Sequence, residues 1–149
     1  MRVASEIRIM NYCTDENILG RIDETALTQL AADDEGLIDD EIVAAAIADA
    51  AATIDSYCQG RYSIPLSPVP PKITELCVDI AVYNLYSRSD LAMPEIRKDR
   101  YNAAIRFLER VADGKIQLGA ATPAPVNTDN AAIFESSPRK FTRGKMGDF

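Results

Sequence analysis

The chain contains no histidine, only three cysteines and no apolar run near the ~18 residues that a membrane span requires. Each absence removes a class of function. Without imidazole there are no Ser-His or Cys-His nucleophile pairs and no histidine acid/base step, so the chain is not expected to be an enzyme. Cys13, Cys58 and Cys77 are odd in number, far apart and without histidine neighbours, which argues against both a disulfide framework and a zinc site. They are expected as core thiols. The stretch Met1-Arg2-Val3-Ala4-Ser5-Glu6 lacks the continuous apolar segment of a signal peptide. The protein is therefore expected to stay in the cytosol where it is made, with no membrane partner.

What is present is an ordinary globular composition. The 149 residues are 47% hydrophobic and 26% charged, which suits one domain with an appendage. The net charge of −7 is unevenly spread. Residues 1 to 114 hold 11 Lys and Arg against 20 Asp and Glu, whereas residues 115 to 149 hold 5 against 3. An acidic body with a mildly basic tail is poorly suited to wrapping nucleic acid, because phosphate binding needs a basic patch that releases counterions.

The periodicities predict helices. Val3, Ser5, Ile7 and Ile9 alternate as a short strand would, but from Thr14 onward the signals change. Thr14 before Asp15-Glu16, and Asp23-Glu24 before Ala26, Leu27 and Leu30, read as two N-caps opening two short helices separated near Gly20. The acidic stretch from Asp33 to Glu41 invites a calcium-loop reading, but the register fails. With Gly36 at loop position six, Ala31 and Ile42 fall where the first and the closing carboxylates belong. The stretch reads instead as an acidic turn leading to an N-cap at Asp39, with Ile38 and Val43 as a hydrophobic staple.

From Asp39 to about Gln59, Ile42, Ala46, Ile47, Ala50, Ile54, Tyr57 and Cys58 recur at helical spacing, and Gly60 ends the run. Its many alanines keep the helix thin, so that a neighbouring helix or subunit approaches closely. Arg61-Tyr62-Ser63-Ile64-Pro65-Leu66-Ser67-Pro68-Val69-Pro70-Pro71 follows as a stiff crossover, since proline removes donors and extends the residue before it. Arg61 and Tyr62 are expected to fix this crossover, with the ring packed and a polar group bonded to loop carbonyls. A third major pattern begins at Pro71 and carries Ile73, Leu76, Cys77, Ile80, Tyr83 and Asn84 on one face. The last begins at Pro94, with Tyr101, Ala104, Ile105, Leu108, Val111 and Ala112 as its stripe and Gly114 as its stop. The expected core includes Ile54, Tyr57, Ile80, Tyr83, Tyr101, Ile105 and Leu108.

Beyond Gly114 the character is that of a linker, Gly119 to Pro125, and then an arm in which Ala131 to Glu135 could form one strand. Gly144-Lys145 is no P-loop, because the earlier glycine is missing and Met146 stands where Ser or Thr would ligate magnesium. The paired carboxylates Asp33-Asp34 and Asp39-Asp40 sit where caps and solvated turns place acids, so no catalytic residue is expected. A helix-turn-helix is disfavoured by Lys98 and Arg106 standing beside Asp99 and Glu109 on the last helix.

A set of segments resembles the Mu-like bacteriophage head-to-tail connector (adaptor) family. The segments are Tyr12-Cys13-Thr14-Asp15-Glu16, Asp34-Glu35-Gly36-Leu37-Ile38-Asp39, Ile54-Asp55-Ser56-Tyr57, Arg61-Tyr62-Ser63-Ile64-Pro65-Leu66 with Val69-Pro70-Pro71, and Cys77-Val78-Asp79-Ile80-Ala81. The likeness continues through Tyr101-Asn102-Ala103-Ala104, Gly114-Lys115-Ile116-Gln117-Leu118-Gly119 and Ser137-Pro138-Arg139-Lys140-Phe141-Thr142-Arg143. Residues 1 to 11 extend beyond the usual start of that family. The acidic turn lacks the calcium-like spacing of many relatives, so no metal or cofactor is implied.

The resemblance implies an all-α fold, a small bundle of four to five helices with an extended C-terminal arm. Residues 1–13 would be an extension, 14–114 the helical domain and 115–149 the arm. It implies a structural protein of the virion neck, made in the host cytoplasm, that forms a ring of about twelve copies beneath the portal. Its partners would be itself, the portal protein and a head-closure (stopper) or tail-completion protein, with double-stranded DNA passing through unread. The arm would bind the portal by strand addition, using Ile133, Phe134, Arg139, Lys140, Phe141, Arg143, Met146 and Phe149. Arg61, Tyr62, Pro65, Leu66 and Pro70 would shape the crossover. The alternatives are a stopper or tail-completion protein, or a monomeric calcium-responsive regulatory module.

Overall fold

The computed structural model describes residues 11–120. The alternating stretch Val3 to Ile9 and the arm from residue 121 onward lie outside the described residues, whereas residues 115–120 of the arm lie within them. Five helices make an all-α bundle: α1 (Asp15–Leu19), α2 (Glu24–Ala31), α3 (Asp40–Cys58), α4 (Pro71–Arg88) and α5 (Glu95–Ala112).

Helices α1, α2 and α3 begin where a side chain accepts from a free N–H of the first turn, whereas α4 and α5 begin after prolines with no side-chain cap. Before α1, the Thr14 hydroxyl accepts from Asn17 N–H at 3.4 Å while the Asn17 side chain accepts from Thr14 N–H at 3.0 Å, a reciprocal capping box. Asp23 accepts from Ala26 N–H at 2.8 Å to open α2, and Asp39 accepts from Glu41 N–H at 2.8 Å to open α3. Pro70 and Pro94 precede α4 and α5, and Pro71 occupies the first turn of α4, where a missing N–H costs nothing. After α5 the chain reverses at Gly114, whose φ of +76° is a left-handed conformation suited to glycine.

The acidic turn is an ordinary bend. The Asp33 carboxylate accepts from the N–H groups of Glu35 and Leu37, both at 2.9 Å, and Ala32 bridges to Ile38. With one Asp33 oxygen taken by backbone donors and Asp39 capping α3, these two carboxylates have local structural work.

Helices α3, α4 and α5 pack against one another, and α1 and α2 lie across α4, with α2 also against α3. Ile54, Ile73, Ile80, Leu85 and Leu108 fill the centre. Ala46, Ala50 and Ala51 on α3 are buried, so small side chains meet α4 and let the two axes approach. Two expectations are corrected here. First, α4 does not bury a single face: Val78, Ala81, Val82 and Leu85 are buried as well, because helices cover it on several sides. Second, Tyr57, Tyr83, Tyr101 and Ile105, expected in the core, are only half-buried at its edge. There the Tyr83 and Tyr101 rings stack with centroids 3.8 Å apart. At the two ends of the body, Tyr12 and Cys13 belong to the buried core, and Ile116 and Leu118 pack against it.

Candidate partner-binding surfaces

The crossover between α3 and α4 is held from outside itself. Leu66 is fully buried, and its N–H donates to the Tyr12 hydroxyl at 3.0 Å. That hydroxyl in turn donates to the Asp55 carboxylate on α3. Burial, followed by the Asp55 hydrogen bond, pushes the Tyr12 hydroxyl well above the usual tyrosine range. One side chain from the start of the body thus pins the crossover to α3.

Tyr62 is buried as well, but its hydroxyl accepts from Leu118 N–H at 3.0 Å. Arg61 is exposed, and its guanidinium lies over Gly114 so closely that a Cβ there would stand 2.5 Å from Nη1. Both side chains therefore engage the segment after α5, where loop carbonyls had been expected as their partners. The reason is geometric, because the end of α3 and the end of α5 meet, and the crossover runs away from that point. Pro65 is exposed and Pro70 forms the cap of α4.

The three thiols are buried. Cys13 and Cys77 face each other with sulfurs 2.9 Å apart, and this contact, together with burial, raises the Cys77 thiol. Burial, with help from the Asp55 charge, pushes Cys58 up to about 11.

Charge is divided between the two halves of the body. Residues 11–60 contain 1 basic and 12 acidic residues, whereas residues 61–120 contain 9 basic and 7 acidic. The division shapes two surface features. A groove of about 430 Å³ between the start of α3 and the end of α4 is lined by Asp39, Glu41, Asp49, Asn84 and Arg88. A cavity of about 480 Å³ between α4 and α5 is lined by Arg21, Lys72, Glu75, Asp79, Arg100 and Phe107. In it the Asp79 side chain is only 9% exposed, and one oxygen lies 3.6 Å from Arg21 Nε and 3.7 Å from Arg100 Nη1. Lys72 bonds Glu75 at 2.9 Å, which holds the Glu75 carboxyl below its usual range.

None of the cavity residues was singled out as a binding group in the sequence, although a signal existed. Asp79 interrupts the apolar run Leu76-Cys77-Val78-Asp79-Ile80-Ala81, and a charge inside such a run needs a partner supplied by the fold. The arm residues Ile133, Phe134, Arg139, Lys140, Phe141, Arg143, Met146 and Phe149 lie outside the described residues. Among the described residues, no three His, Cys, Asp or Glu side chains converge as a metal-holding group, and no helix is long and apolar enough to cross a membrane.

The bundle thus carries two recesses whose charged linings differ in sign, and comparisons give its lineage. The family described as Bacteriophage Mu, Gp36 matches residues 12–136. The chain is 38% identical over 140 residues to the Mu-like prophage FluMu protein gp36 of Haemophilus influenzae, covering 93% of this chain and 97% of that one. It is 31% identical over 142 residues to gene product J of Escherichia phage Mu, covering 93% and 99%. The chain belongs to the bacteriophage Mu Gp36 family.

Proposed function

We propose that the protein is a head-to-tail connector, or adaptor, of a Mu-like phage, and that copies of it form a ring beneath the portal that joins the DNA-filled head to the neck and tail. The reading is supported above all by the acidity of the helical body. A wall that carries excess negative charge lets double-stranded DNA slide past without holding it. The protein works by binding alone, with no catalytic step, metal or cofactor, and its place is the virion neck.

In this reading the arm after Gly119 makes the portal contact. Its net charge is opposite to that of the body, its apolar residues are too few for a core, and Gly119 to Pro125 uncouples it. A segment of this kind orders on its partner, at a cost of ~2–5 kcal/mol that the interface must exceed. The test is co-sedimentation with portal. The full chain should sediment with portal alone, whereas a chain ending at Gly119 should keep its helical circular dichroism and fail to do so. If the full chain joined only a portal already loaded with another neck protein, it would be a stopper or tail-completion protein instead. If the shortened chain bound portal as tightly as the full one, the helical body would be the portal ligand.

A further inference from the structure

We propose that the cavity between α4 and α5 is the receptor for the acidic face of α3 on a second copy of this chain. The two surfaces form one head-to-tail contact that repeats from copy to copy. This inference rests on the ring-forming reading for its setting in the neck, but its interface is argued from the charges and the fold.

The cavity holds more cation than it can use. Arg21, Lys72 and Arg100 face two carboxylates, Glu75 and Asp79, and Lys72 is already bonded to Glu75. Arg21 and Arg100 share one oxygen of Asp79 at ion-pair distance. That oxygen is buried and accepts no hydrogen bond among the described residues. Neither guanidinium donates a side-chain hydrogen bond within the described residues, so each keeps planar N–H forks suited to a carboxylate. Three cations against two carboxylates leave the cavity with a formal excess of one positive charge.

The opposite surface supplies the balancing negative charge. Glu41, Ala45, Asp49 and Ala52 are exposed on α3 and fall on one face by helical spacing, with Glu41 and Asp49 about 12 Å apart along the axis. With Ala45 between them, Glu41 and Asp49 form the α3 rim of the acidic groove, a charged ridge along its edge that a neighbour's cavity can face. The two surfaces also point in different directions. The α4 residues in the cavity, 72 to 79, and those beside the acidic face, 84 and 88, are separated by roughly 150° around the α4 axis and lie toward opposite ends. One copy can therefore receive a neighbour on one side and offer its ridge on the other, the requirement for a heterologous assembly. Nucleic-acid phosphate could in principle fill the same cavity, but residues 11–60 set 12 acids against 1 base beside it and oppose a polyanion.

The experiment is a charge swap on the full chain, read by sedimentation velocity alone, with portal and with double-stranded DNA at low salt. Lys72→Glu with Arg100→Glu leaves Arg21 to pair Asp79, and Glu41→Lys with Asp49→Lys reverses the ridge. Each double variant alone should weaken self-association at least tenfold. An equimolar mixture of the two should recover it, because each then offers the sign that the other lacks, and so should a single chain carrying all four changes. Recovery requires folded protein, so a folding defect cannot imitate it. Should the cavity reversal melt the helices, Lys72→Gln with Arg100→Gln carries the test, with a loss of at least threefold expected.

Reversal variants that assemble like the unaltered chain, or a mixture that fails to recover, would overturn the proposal. A chain that stays monomeric both alone and on portal would do so too. Lost retention of double-stranded DNA with unchanged self-association would make the cavity a phosphate site and likewise overturn it. Portal binding that ignores the swap sinks only this interface, whereas swap-dependent self-association without portal binding sinks only the adaptor reading.

Discussion

Residues 11–60 and residues 61–120 build one hydrophobic core between them, yet the first half is almost without basic residues and the second has a slight excess. Apolar side chains are shared evenly because α3, α4 and α5 must cover one another. Charge obeys no such demand. Few polar contacts join the halves: Tyr12 to Leu66, Arg21 to Asp79, the Arg97 guanidinium to the Arg21 carbonyl at 3.2 Å, the Asn84 amide to the Ala46 carbonyl at 3.5 Å, and Cys13 to Cys77. Apart from Asp55, which accepts from the Tyr12 hydroxyl, the acids of the first half are caps or solvated side chains. The fold thus leaves the sign of the surface unconstrained, and the division of charge is available for partners.

The sharpest way to break this comparison is at the shared core. Leu108 on α5 and Ile54 on α3 are fully buried, so Leu108→Ala or Ile54→Ala should each cost roughly 2–5 kcal/mol, with similar losses on both sides. Equilibrium denaturation checks this, and an unchanged midpoint for either variant would remove that helix from the core.

Alkali should come next. Cys58 has an ordinary value of 9.0 and is pushed up to about 11 in the folded chain. The folded state therefore keeps a proton that the unfolded state releases. This contribution is intact below pH 9 and is lost as pH rises toward 11, on the order of 2 kcal/mol. Tyr12 shifts in the same direction and adds to the loss. Thermal midpoints across this range should fall, and Cys58→Ala should flatten the fall.

Smaller effects separate the two tyrosine clamps. Tyr12→Phe leaves the N–H of buried Leu66 without its acceptor and should cost ~1–2 kcal/mol. Tyr62→Phe deprives the half-buried Leu118 N–H, which water can reach, and should cost about half as much. Equal costs would mean that the segment after α5 is held as firmly as the crossover. The smallest effect should come from Glu41→Gln with Asp49→Asn, within roughly 0.5 kcal/mol of the unaltered chain in stability. A larger change would show that the acidity of the first half serves the fold after all.

Much of the architecture was legible in the chain itself. Thr14, Asp23 and Asp39 as caps, Pro71 in a first turn and Gly114 as a stop each act within a few residues, so local chemistry marked the starts of α1 to α4 and the end of α5. The failed calcium register of the acidic turn was equally local, because ligand positions are counted along the chain. The class of fold followed from these signals and from the apolar spacing.

Packing decided the rest. That α4 is central, and not amphipathic with one buried face, depends on which helices cover it, and spacing along one helix cannot report that. The half-burial of Tyr57, Tyr83 and Tyr101 has the same cause, since a stripe marks a face but not the depth to which a neighbour covers it. Tyr12 reaches Leu66, Tyr62 reaches Leu118, and Arg21 and Arg100 meet at Asp79, pairings between residues 21 to 58 positions apart. Composition and local spacing determined that this would be a helical, acidic, histidine-free body. Which distant side chains meet, and so where its charge gathers into surfaces of opposite sign, was decided only by the tertiary structure, because those distances are set by helix packing and not by position in the chain.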